Sequence, residues 1–230
     1  MQDSREVAFG TRKKCYNLIH DVITSLEQVS SQVPTLVDGQ YTVAARRRTE
    51  AYEVVETSED EAFQTDLYDW YLSQGRTDRL LDIHSPYIVT YLQRKSLDEV
   101  ANADLLWKYH TQNGHSHEAA RVQLDLAQSN FPLSLDQRIE YLGRAKANAS
   151  TSTPGVARQT RYQLLREVSD LLDVANIQSD LLQRLKLDPR ISAQRRPEVL
   201  KELNGSMLPF DVVRDRMLTL SALANKTTVV

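Results

Sequence analysis

His110, His115, His117 and Glu118 fall within nine residues of one another. Imidazole nitrogens and a carboxylate at such spacing are donors suited to zinc. The competing reading is electrical. The cluster crosses a predicted helix C-terminus, the Asn113-Gly114 turn and the next helix N-terminus. His110 complements the negative end of one helix dipole and Glu118 the positive end of the next. That account covers most of the pattern, so no metal site is expected. Cys15 and His20 are a thiol and a base five residues apart, poorly aligned on one helix for nucleophilic chemistry. Cys15 reads instead as a small buried or half-buried residue. Glu59-Asp60-Glu61 offers adjacent carboxylates, but acids at a helix start explain it more simply. The seven glycines stand at 10, 39, 75, 114, 143, 155 and 205, too dispersed for G-x-G-x-x-G or a P-loop. G-x-S-x-G is also missing. No catalytic residue, no cofactor and no bound metal are expected.

The elements that carry these residues read as helices. With 7 Gly and 7 Pro in 230 residues, turn formers are scarce. Helix formers fill the spaces between them. Nine or ten helices are predicted, and no strand. The first covers 11–31, with Tyr16, Ile19, Ile23 and Leu26 at helical spacing. Val33-Pro34 and Asp38-Gly39 make a loop. The second, 42–56, has a thin stripe of Val43, Tyr52 and Val55. Ser58 to Glu61, Ser96 to Glu99 and Ser134 to Gln137 each spell a capping box. Gly75 sits where a left-handed C-cap is expected, and Ser85-Pro86 supplies an N-cap with Pro at the first helical position. The Ala-rich helix 118–129 suits close packing. A loop at 149–155 precedes a long helix, 156–175, expected to kink into 177–187. A short helix opens at Pro197 and ends at Asn204-Gly205, and the last helix covers 210–224. Trp70, Tyr71, Tyr87, Tyr91, Trp107 and Tyr109 ride apolar stripes and read as core, with Trp107 a buried anchor. A base-stacking platform would interleave basic residues with them.

Composition narrows the function classes. The apolar content is 41 % and the net charge −3, which gives no general attraction for nucleic acid or anionic membrane. Arg46-Arg47-Arg48 is the one dense basic run, and Glu50, Glu53 and Glu56 answer it within helical reach. One cysteine permits no internal disulfide, which fits a reducing compartment. The N-terminus has no apolar signal core, and no apolar run is long enough to span a bilayer. The sequons at Asn148, Asn204 and Asn225 read as chance matches. The chain begins in mid-architecture, which predicts a single α-solenoid domain over 1–230 that forms the C-terminal piece of a longer scaffold.

Asp104-Leu105-Leu106-Trp107-Lys108-Tyr109 is followed by Glu118-Ala119-Ala120-Arg121-Val122, Leu124 and Leu126-Ala127. Next come Leu133-Ser134-Leu135-Asp136-Gln137-Arg138-Ile139-Glu140-Tyr141-Leu142 and Arg144-Ala145. In order and spacing this series resembles the C-terminal solenoid of the nucleoporin 155/170 family, the large non-repetitive inner-ring scaffolds of the nuclear pore complex. Leu67 to Leu81 and Tyr87 to Leu92 fit it too, and the resemblance runs from about 62 to 147. A related outer-ring scaffold nucleoporin is the nearest confusable family. The resemblance implies an irregular all-α solenoid of stacked antiparallel helices, a β-propeller upstream, and residence at the nuclear envelope. It implies a structural role in nucleocytoplasmic transport. The implied partner is the linker segment of the nucleoporin with Gly-Leu-Phe-Gly repeats, alongside other inner-ring nucleoporins, with no direct nucleic acid and no membrane insertion.

Helix-pair grooves accept peptide segments through apolar anchors. The candidate groove is at the C-terminus, where the last helix has no following neighbour. Met207, Leu208, Phe210, Val213 and Met217 are the expected peptide-binding residues; methionines adapt to ligands at low cost. The alternative for these residues is packing on the long helix around Leu171 and Leu172. The alternative for the whole chain is a generic solenoid adaptor of vesicle-coat or tetratricopeptide-like type, which a strict repeat period would favour. No such period is present.

Overall fold

The computed structural model describes residues 2–188, 194, 196–209 and 211–215. They form two compact units, Met1–Leu92 and Gln93–Val230.

In the first unit, α1 (Gln2–Ser31) packs on α2 (Val43–Glu56) and α3 (Glu61–Ser73), and α3 on α4 (Thr77–Asp82). Between α1 and α2 the expected loop contains a two-residue ribbon, β1 (Leu36–Val37) and β2 (Gln40–Tyr41), with Leu36 opposite Tyr41. Asp38 and Gly39 both have positive φ, 52° and 78°, as a two-residue hairpin turn requires. Every strand residue is exposed, so no alternating apolar pattern announced the pairing. Thr42 caps α2 by accepting from the Ala45 amide at 3.3 Å. The buried stripe of α2 is Ala45, Tyr52 and Val55; Val43 points to solvent.

The helix after it does not start with the expected capping box. Asp60 is the N-cap, accepting from the amides of Ala62 and Phe63, and Ser58 only accepts from the Asp60 amide. A carboxylate two residues nearer the apolar run reaches the orphan amides first. Asp60 also accepts from Tyr16 at 3.0 Å and Arg12 at 3.0 Å, tying α3 to α1. Gln64, wholly buried, donates to the carbonyls of Val55 and Ser58 at 2.8 and 3.0 Å, holding the end of α2. Phe63, Leu67, Tyr68 and Tyr71 fill the interface. Gly75, with φ 68°, ends α3 as its position predicted. The last helix to start in this unit is α5 (Ile88–Lys95).

In the second unit, α6 (Val100–Gln112), α7 (Ser116–Gln128), α8 (Leu135–Ser150) and α9 (Arg158–Leu187) each pack on the next. Then α10 (Arg196–Gly205) packs on α8 and α9. The second expected capping box is absent: Glu99 stands at the N-cap of α6 without a side-chain hydrogen bond, while Ser96 donates to the Gln93 carbonyl. Leu97 and Asp98 belong to the turn that finishes α5, so the helix starts later than the motif requires. The third box is present, with Ser134 and Gln137 satisfying one another's amides. Ala119 and Ala120 are wholly buried, and these small side chains let α7 approach its neighbours closely. The core comprises Leu124, Leu135, Leu142, Val168, Ala175, Leu181 and Leu203 among others. Trp107, expected as a buried anchor, is half-buried, with Nε1 donating to Asp104 at 2.8 Å and the Arg144 guanidinium over its ring. The long helix α9 is continuous over its 30 residues, with no break near 176.

Candidate functional site

The histidine cluster takes the helix–turn–helix placement its spacing predicted. His110 is in the last turn of α6, Gly114 turns with φ 74°, His115 is the N-cap of α7, and Glu118 lies in its first turn. The rings of His110 and His115 are 6.0 Å apart. The dipole argument does not govern His110. Burial outweighs Glu118 and lowers its pKa below 6.5, because desolvation penalises the cation. His110 Nδ1, His117 Nδ1 and Glu118 Oε2 are buried without hydrogen-bond partners. Among the described residues no group of three or more His, Cys, Asp or Glu is arranged to hold a metal ion.

Cys15 is exposed on α1, whereas His20 is buried and stacked on Trp70 at 4.6 Å with 7° between the rings. Its Nε2 lies 3.5 Å from Asp66. The thiol faces solvent and the imidazole faces α3. The three carboxylates at 59–61 are also separated in role: Asp60 caps α3, Glu61 lies in its first turn and Glu59 is exposed.

At the C-terminal end, Met207 and Leu208 are half-buried and pack with Leu171 and Leu172 against the core. They line a cleft of about 420 Å³ with Phe131, Arg138 and Leu171. Val213 is wholly buried, with its amide on the Pro209 carbonyl at 3.1 Å. Phe210 and Met217 lie outside the described residues.

Two polar residues that sequence reasoning missed build this end. Arg138, almost fully buried, donates to the carbonyls of Ala127, Ser129, Phe131 and Gly205 at 2.7, 2.8, 2.9 and 3.4 Å. Burial lowers its pKa. Gln178, also buried, donates to Leu203 and Ser206 and accepts from the Leu208 amide, at 2.7, 2.7 and 2.8 Å. Asn204 accepts from the Leu135 amide at 3.4 Å. Each of the first two replaces an apolar residue in a buried stripe. Arg138 stands in the series 135, 138, 142, 145, 149 and Gln178 in 164, 168, 171, 175, 178, 182, 185. A polar residue on such a stripe was the available signal.

This predominantly helical chain matches known proteins over nearly its whole length. The family model described as "Non-repetitive/WGA-negative nucleoporin C-terminal" matches residues 1–221. The chain belongs to this nucleoporin C-terminal family. Nucleoporin NUP170 of Chaetomium thermophilum is 50 % identical over 203 residues, covering 88 % of this chain and 14 % of that protein. Nucleoporin NUP170 of Saccharomyces cerevisiae is 30 % identical over 211 residues, 90 % of this chain and 14 % of that protein. The chain thus spans about one-seventh of these relatives. The crystal structure of the Chaetomium thermophilum Nup170 CTD–Nup145N complex superposes with TM-score 0.84 at 48 % identity, covering 90 % of this chain and 40 % of that one. The nucleoporin fold class is therefore the expected one, an irregular all-α solenoid of antiparallel helices.

Proposed function

We propose that this chain is a scaffold segment of the nuclear pore inner ring, resident at the nuclear envelope. It supports nucleocytoplasmic transport by holding short linker segments of other nucleoporins, and it is not an enzyme. The observation that carries this is the match to the Nup170 CTD–Nup145N complex, a relative solved with another nucleoporin bound. The partner of this chain is the corresponding linker of its own Gly-Leu-Phe-Gly-repeat nucleoporin. No helix of the described residues is long and apolar enough to cross a membrane.

The cleft beside Met207 and Leu208 supports a docking place there: both side chains are only half-buried, and Arg138 and Gln178 hold the main chain around them. Phe210, Val213 and Met217 adjoin Met207 and Leu208 in sequence and belong to the same proposed surface, Val213 through packing. Calorimetric titration of the linker into the purified chain tests the function. Saturable binding, lost in Met207→Asp and Leu208→Asp variants that melt normally, is expected. A linker that binds neither wild type nor variants would rule out the scaffold reading for this segment.

A further inference from the structure

In the 1–92 unit, an open groove of about 730 Å³ runs between α2 and the turn that joins α4 to α5. That is within the size range of ligand-binding clefts. Its surface is predominantly apolar, with Tyr52 and Ile83 as a buried floor and Pro86 and Tyr87 as a more open wall. The groove is preformed by polar ties beneath and beside it. The Arg79 guanidinium lies 3.3 Å from the centroid of the Tyr52 ring. Arg79 also pairs with Glu56 at 2.9 Å, and the Tyr71 hydroxyl donates to the same carboxylate oxygen at 2.9 Å. Tyr87 donates to the Glu59 carbonyl at 3.0 Å, fixing the far wall to the linker before α3. An apolar side chain entering here meets the wall of Pro86 and Tyr87, which these ties hold in place, so little ordering cost accompanies its contact.

The charges identify the occupant. The lining holds four carboxylates, of Glu53, Glu56, Glu59 and Asp82, against two guanidiniums, of Arg48 and Arg79. Arg79 and Glu56 neutralise one another. Glu53 and Glu59, both exposed on the rim, have no ion pair among the described residues. The rim therefore repels polyanions and acidic segments and attracts cations.

The geometry points to this groove as a docking site for an extended peptide segment with one apolar anchor flanked by Lys or Arg. The anchor packs against Pro86 and Tyr87, above the closed floor of Tyr52 and Ile83, and the flanking cation faces Glu53 and Glu59. The anchor supplies affinity, and the rim supplies selection by charge and a faster encounter. This inference rests on the reading that the chain holds nucleoporin linkers, and it adds the chemistry of one such segment.

The test uses the whole chain and two synthetic Gly-Ser-rich peptides with the same single Leu anchor, one flanked by Arg and its twin by Glu. Fluorescence anisotropy is read at low and at physiological salt against wild type, E53Q/E59Q and E53K/E59K. Both positions are exposed, so the melting temperatures stay unchanged, and the Gln pair keeps the measurement valid should the Lys pair unfold. The Arg peptide binds wild type at least about tenfold more tightly than its twin. E53Q/E59Q narrows that ratio, E53K/E59K inverts it, and added salt weakens the preference. Equal binding of the twins, indifference of the variants or no saturable binding of the Arg peptide overturns the proposal. The partner linker is titrated in parallel. A linker that binds every variant alike, with no preference between the twins, sinks this groove and leaves the scaffold reading intact. Twins that behave as expected beside a linker that never binds keep the groove and sink the scaffold reading.

Discussion

Two buried histidines give the fold an acid sensitivity. Burial lowers the pKa of His20 and of His110 below 6.5, against the opposing pull of Asp66 on the first and Glu118 on the second. Near and just below 6.5 the unfolded chain therefore binds more protons than the folded one, and stability rises with pH there. The stabilisation is complete above the unfolded value and is lost as the pH falls through it. The melting temperature is expected to drop between about pH 7.5 and about pH 5.5, and to drop less in His110→Gln. Parallel declines in both proteins would show that His110 titrates normally. Gln178 carries a different load, three hydrogen bonds to the segment 203–208. Replacing it with Leu strands the Leu203 and Ser206 carbonyls and the Leu208 amide, at a cost of about 2–3 kcal/mol. Urea titration measures it, with faster amide exchange at Leu208; a loss under about 0.5 kcal/mol would mean that water substitutes freely.

Helix starts distinguish local from tertiary information at the next scale. The motifs at 58–61 and 96–99 follow the same Ser-x-x-Glu/Gln pattern as the one at 134–137, yet only the last forms the reciprocal pair. Asp60 takes over the first because it satisfies two amides of α3 and two donors of α1 at once. Asp60→Ala is expected to lower stability by about 1–2 kcal/mol, and Ser58→Ala by no more than about 0.5 kcal/mol. Chemical denaturation of both variants checks the order, and a larger loss for Ser58→Ala would restore the capping box at Ser58. The hairpin at 36–41 carries the same lesson. Its turn chemistry, Asp38-Gly39, was legible, but four exposed strand residues left no apolar alternation to read beside it.

At the scale of the molecule, the described core of the second unit is drawn wholly from residues between 100 and 208. A unit with its own contiguous core is expected to fold without its neighbour in sequence. A fragment of residues 93–230 should keep a helical circular dichroism spectrum and a single cooperative melt. A broad, non-cooperative melt with binding of a hydrophobic dye would show that this core needs the first unit.

What the sequence determined by itself was local and periodic: helices from 3.6-residue stripes, the Gly75 cap, the Ser134–Gln137 box and the family, from the order of motifs between 104 and 145. These are readable because neighbours along a helix face one another whatever else the chain does. What tertiary structure decided was the fate of polar groups. Which carbonyls converge on Arg138 depends on Gly205, 67 residues away. Whether His110 follows its helix dipole or its burial depends on what is packed over it. The Tyr52 groove forms where the Arg79–Glu56 pair holds α4 to α2 and the turn before α5 lies beside them. Desolvation and convergence are set by three-dimensional surroundings, and no spacing along a single chain encodes them one residue at a time.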